Sequence, residues 1–209
     1  MKKVIQFLLG LVIIGLIYVV AILIHTPLSF DKQLKTRNAD VIVKLKDIRA
    51  AERAYKSKYQ RFTNDFDSLI NFILNDSLEM ERKLVDEDDS VAMAQLKKQK
   101  KQNIEKYNLA VIDTIFNPRK LSKEQIENLR FIPHTNNMEF ILESGEVDKG
   151  NVKVPVVECR APYKVYLDTV EFRQNVINLI DDKVNNFGQY AGLKFGSMEG
   201  SNNEAGNWE

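Results

Sequence analysis

Three patterns of apolar positions divide the chain. Residues 4–24, VIQFLLGLVIIGLIYVVAILI, are apolar throughout, with Gln6 and Tyr18 the only polar-capable side chains. About 21 helical residues at 1.5 Å each span roughly 31 Å, which matches a hydrocarbon core of about 30 Å. The run is too long for a cleavable leader, and His25-Thr26-Pro27-Leu28 after it carries no small-x-small cleavage site. Residues 1–30 therefore read as a cytoplasmic start and an uncleaved transmembrane signal anchor. Lys2 and Lys3 assign the N-terminus to the cytoplasm, and long domains after a span translocate largely regardless of charge. Gln6, Gly10, Ile17 and Ala21 fall on one face at 100° per residue. That face is either a helix–helix contact, favoured by its small residues and its amide, or ordinary lipid-facing surface.

The second pattern is helical. Val41, Leu45, Ile48, Tyr55 and Tyr59 recur at three- and four-residue steps, with Glu52 or Ala51 completing the stripe. Pro27 either kinks the join to the membrane helix or ends it. The other faces carry Lys44, Lys46, Arg49, Arg53, Lys56, Lys58 and Arg61. These basic residues read either as a solvated face or as contacts to acidic lipid headgroups. After Thr63-Asn64-Asp65, the run Phe66, Leu69, Ile70, Phe72, Ile73 predicts a short second helix. Residues 76–107 form a charged, exposed segment, acidic first and basic after, in which a helix over 91–107 would be polar nearly all round. Its acidic block lacks the ligand spacing and turn glycine of a calcium loop, so no metal site is assigned.

From Asn108 the pattern reads as strands. Leu109–Phe116 predicts one, and Ser122-Lys123-Glu124-Gln125 predicts a capping box. Leu129–Ile132 and Met138–Leu142 flank Asn136-Asn137 as a hairpin, with the next turn at Gly145–Gly150. Val152–Cys159 predicts a strand with a bulge or an edge at Pro155, and Tyr163–Leu167 the last strand. Phe172, Val176, Leu179, Ile180, Val184 and Phe187 form a helical stripe that Gly188 closes. Residues 196–209, GSMEGSNNEAGNWE, read as a flexible tail. The fold class is α+β: a transmembrane helix, a membrane-proximal amphipathic helix on an antiparallel β-meander, and a C-terminal helix. The exported domain occupies residues 31–195.

Composition narrows the function. Thirty Lys+Arg against 29 Asp+Glu give a net charge of +1, without the basic excess of a nucleic-acid binder. One cysteine excludes an internal disulfide, and two histidines, His25 and His134, leave little for a triad or a metal cluster. His25 sits at the membrane exit and His134 before a turn. Cys159 in an apolar strand reads as a small core residue, although Arg160 beside it would lower a thiol pKa. No motif for a nucleotide, a nucleophilic serine or a zinc protease is present. The expectation is a non-enzymatic protein with no cofactor, no metal, no nucleic acid and no evident small-molecule substrate. Trp208, the sole tryptophan, either folds back on its own sheet or docks on a neighbouring subunit.

The stretch IRAAERAYKSKYQRFTNDFDSLINFI, residues 48–73, resembles the helix end and following loop of type IV pilins and pseudopilins. Glu52, Tyr55, Tyr59, Arg61, Phe62, Thr63 and Leu69 occupy the positions that carry the likeness, and the overall plan is similar. The resemblance implies a structural subunit of a secretion or pilus-like machine, acting through self-association or association with other envelope subunits. Gln60 stands where that family usually has glycine. The cleavable glycine before Phe or Met and the glutamate five residues into the span are both missing. These departures fit a second class, an unprocessed inner-membrane assembly or adaptor protein with a periplasmic binding module. VPVVECRAPY and the ending GNWE also resemble single-span bacterial envelope proteins, a likeness that implies no function.

Overall fold

A computed structural model describes residues 2–86, 88, 89, 94, 98, 102–117 and 119–209. One helix, α1 (Lys2–Tyr59), runs unbroken through Pro27. The proline removes a single i→i−4 bond, and the uninterrupted turns on both sides carry that loss, so the helix does not end there. Its inner half is bare: nearly every apolar side chain from Phe7 to Ile24 is exposed. This stretch is long and apolar enough to span a membrane. The outer half is the spine of an α+β domain. Val41, Leu45, Ile48, Ala51 and Glu52 are fully buried there, so both candidates for the middle of the stripe lie inside.

The loop after α1 leads into α2 (Phe66–Asn75), whose N-terminal amides on Asp67 and Ser68 donate to the Asp65 carboxylate. Phe66, Leu69, Ile70, Phe72 and Ile73 face the core, as the spacing predicts. Strand β1 (Ser77–Lys83) then pairs antiparallel with β2 (Ile104–Ala110) in full register from Ser77↔Ala110 to Lys83↔Ile104. This ribbon carries cross-strand pairs such as Arg82–Glu105 at 2.6 Å and Lys106–Glu79 at 2.5 Å. The helix predicted over 91–107 is therefore overturned from Ile104 onward. Ala94 and Lys98 are helical, and residues 91–93, 95–97 and 99–101 lie outside the described part.

Two predicted strands are helices. β2 stops at Ala110 because its register with β1 ends at Ser77, and the chain enters α3 (Val111–Phe116), burying Val111 and Phe116. Likewise Tyr163–Tyr166 is a helical turn, α5, after Pro162, with both tyrosine rings buried. The Ser122 capping box forms with Gln125 and opens α4 (Lys123–Glu127). The hairpin around Asn136-Asn137 closes through a single bridge, Phe131↔Glu139.

The larger sheet has the order β3-β4-β5, built from β3 (Ile141–Lys149), β4 (Val152–Pro162) and β5 (Gly192–Gly196). β3 runs through Gly145, and the turn sits at Gly150-Asn151, both with positive φ. No bulge occurs at Pro155, which pairs one-to-one with Glu146. β4 is central, but β5 covers only residues 158–162, so Pro155 falls where one side of β4 is open. Helix α6 (Arg173–Asp181) follows, passing into a π turn to Asn186 that Gly188 closes at φ +59. Val184 and Phe187, expected on its packed stripe, remain exposed.

The segment expected to be a flexible tail is seated on the domain. Gly196 N–H donates to the Ala205 carbonyl, Asn207 N–H to that of Lys194, and Gly206 bridges Phe195. Gly196 permits this return with φ +76, and a Cβ there would stand 1.9 Å from the Val157 carbonyl oxygen. Gly196→Ala is expected to cost about 3 kcal/mol or more by strain at a special backbone position. The check is a red shift of Trp208 emission, as residues 204–208 detach, with a lowered urea midpoint.

Candidate functional site at the outer end of the long helix

The resemblance motif converges where α1 ends. Gln60 takes φ +58, the left-handed conformation that side chains rarely adopt. That reversal turns the loop back on α1 and aims the Thr63 N–H at Glu52, whose Oε2 accepts at 3.1 Å. Glu52 Oε1 is buried without a hydrogen-bond partner. Burial pushes the Glu52 carboxyl up to about 8, opposed only in part by the Thr63 hydrogen bond. The nearby Cys159 thiol, fully buried in β4, is pushed well above its ordinary value by burial and secondarily by Glu52. It is a core thiol, and Arg160 does not offset its burial.

Two adjoining grooves flank this loop and share Tyr55 and Ser68. One, of about 380 Å³, lies between Phe62, Asp65, Gly145 and Pro155; the other, of about 320 Å³, is lined by Tyr59, Asn71, Phe72 and Asp76. Tyr59, expected on the packed stripe, is 44% exposed. Its ring stacks 4.6 Å from Tyr55 and 5.9 Å from Phe72, and its hydroxyl donates to Asp76 at 2.7 Å. Hydrogen bonds from Lys58, Tyr59 and the Ser77 amide hold the Asp76 carboxyl down at about 2. The grooves thus combine aromatic floors with amide and carboxylate rims, a composition suited to peptide side chains.

Much of the basic face of α1 is engaged within its own domain, while Lys46 and Arg61 are exposed. Lys44 donates to the Asn128 and Phe131 carbonyls, Arg49 pairs with Glu209 at 2.6 Å, and Arg53 with Glu204 at 3.1 Å. Lys58 pairs with Asp76. At 1.5 Å per residue, Lys44 stands about 30 Å beyond Ile24, far outside the reach of headgroup electrostatics. The lipid-headgroup reading of this face is therefore set aside.

The other sequence candidates do not join the grooves. Gln6, Gly10, Ile17 and Ala21 lie on the bare half of α1, and a Cβ at Gly10 would meet nothing within 4 Å. Trp208 packs in cis: its ring lies partly buried against the core, 5.7 Å beneath the Arg49 guanidinium. His134 pairs with Asp40 at 2.7 Å and ties the hairpin turn to α1. Among the described residues, no three His, Cys, Asp or Glu side chains are grouped to hold a metal ion. Sequence reasoning missed Asp76, whose only signal is its place after an apolar run, and β5, which is short and bounded by glycines. Compared with protein families, with curated proteins and with solved structures, the chain matches none of them.

Proposed function

We propose that this protein is a non-enzymatic, single-span envelope protein that acts as a pilin- or pseudopilin-like structural subunit through protein–protein association. The observation that carries the reading is the continuous α1, bare and apolar over its inner half and the packed spine of the domain over its outer half. One rigid rod couples whatever the membrane half touches to the grooves at the far end. The bacterial inner membrane, a cytoplasmic N-terminus and a periplasmic domain complete the proposal, on the Lys2-Lys3 bias. A C-terminal tag is then expected to be cut by protease added to spheroplasts and an N-terminal tag to survive; the reverse pattern overturns the orientation.

A second reading, an unprocessed assembly or adaptor protein, is favoured by a span with Gln6 and no carboxylate. A photo-crosslinker at Ile17, on the face shared with Gln6, Gly10 and Ala21, separates the two. A ladder of multiples of the chain mass is the outcome expected of a structural subunit. One discrete product with a different protein selects the adaptor, and no product at Ile17 or at Tyr59 overturns both.

A further inference from the structure

The base of the domain descends along α1 to within about two helical turns of the end of the apolar span. From β4 the chain follows one stripe of the helix downward: Arg37 donates to the Tyr166 carbonyl, and the Tyr166 hydroxyl to Asn38. Lower still, the Asp168 amide donates to Gln33 at 3.3 Å, and the Phe172 ring meets Phe30 at 5.7 Å. Phe30 stands about 9 Å along the axis beyond Ile24, the last residue of the apolar run. The interfacial layer adds about 5–7 Å beyond the hydrocarbon on each side. Its outer edge therefore lies only about 2–4 Å below Phe30, within reach of a side chain that projects from the base toward the bilayer. α6 runs beside Phe30, with which Asn175, Asn178 and Leu179 line a cleft of about 460 Å³.

This same stretch carries apolar side chains with nothing over them. Val170 is 93% exposed and Phe187 60%, and Ile177 and Val184 are also exposed. The charges around them, Arg173 and Lys183 against Asp168, Glu171, Asp181 and Asp182, give no basic patch to draw the surface to anionic lipid. Lys183 instead lies over the Phe187 ring at 5.6 Å, an amphipathic pair with an apolar body and a charged tip. Aromatic rings and such stems settle at the headgroup level of a bilayer.

We propose that residues 168–188 form a membrane-contact surface, with Val170 and Phe187 in the interfacial layer of the bilayer that α1 spans. The inference rests on reading the inner half of α1 as a membrane span. The domain then sits on the bilayer instead of standing clear of it on a stalk. Contact with lipid at its base limits the tilt of α1, and with it the inclination of the distal grooves above the bilayer.

The test uses the full chain in phosphatidylcholine vesicles, with an environment-sensitive fluorophore on a single introduced cysteine; the native Cys159 is fully buried. Val170→Cys and Phe187→Cys are compared with Ile17→Cys in the span and Val152→Cys on the distal β3–β4 turn. With lipids spin-labelled near the headgroup, the probes at 170 and 187 are expected to lose about half of their emission, and the one at 152 none. The probe at 17 is quenched by deep-labelled lipids. Quenching at 17 without quenching at 170 and 187 overturns the contact surface and leaves the span intact. No quenching at 17 overturns the span, and the inference with it.

Discussion

An aspartate at Ile48 is expected to abolish cooperative folding of the domain. Ile48 is fully buried in the middle of the α1 spine, flanked by Leu45 and Ala51, which are fully buried as well. The substitution loses about 2–3 kcal/mol of apolar burial. It also places a carboxylate in a core where, among the described residues, no basic side chain is buried, a cost of several kcal/mol more. A domain of this size holds only about 5–15 kcal/mol in all, so the sum removes most of it. Urea titration of the full chain in detergent, read by Trp208 emission, measures the effect. Val43→Asp is the reference, because Val43 is an exposed residue on the same helix and should keep the native midpoint. A wild-type midpoint in Ile48→Asp would mean that the stripe faces solvent or a partner.

The spine was legible because a long helix with one buried face repeats its apolar positions at a fixed period. The Ser122 capping box and Gly188 were legible for a similar reason: each is a local device whose partner lies within four residues. Val111–Phe116 and Tyr163–Leu167 were not, since short β-branched or aromatic runs fit a strand and a helical turn equally. The choice was made elsewhere, by the end of the β1–β2 register and by the Ala191 carbonyl that accepts from the Tyr163 amide. Arg49 and Arg53 looked like solvent- or lipid-facing charge because their partners lie more than 150 residues away in the C-terminal segment. Of the candidate site, Glu52, Tyr55 and Thr63 were visible as motif positions. The left-handed Gln60 and the role of Asp76 required the fold.

Replacing Glu52 with glutamine is expected to stabilise the protein at neutral pH and to flatten its pH dependence. The Glu52 carboxyl rises from an ordinary 4.5 to about 8 on folding, chiefly because burial disfavours its charge. Between those values the folded chain keeps a proton that the unfolded chain has released. Stability is therefore fully present below about pH 4.5, falls as pH rises toward 8, and levels off above. At about 1.4 kcal/mol per unit, the loss accumulated by pH 7 is on the order of 3 kcal/mol. Glutamine has the shape of the protonated acid, can still accept from the Thr63 amide, and cannot ionise. Its urea midpoint should exceed that of the wild type at pH 7 and change little between pH 5 and 8, while the wild-type midpoint drops across that window. Glu52→Ala, which deletes the acceptor and opens a cavity, should be destabilised at every pH. A wild-type midpoint that stays level from pH 5 to 8, or a glutamine variant weaker than wild type at pH 7, would mean that the carboxylate is held charged. The buried Oε1 would then require a partner that the folded chain alone does not provide.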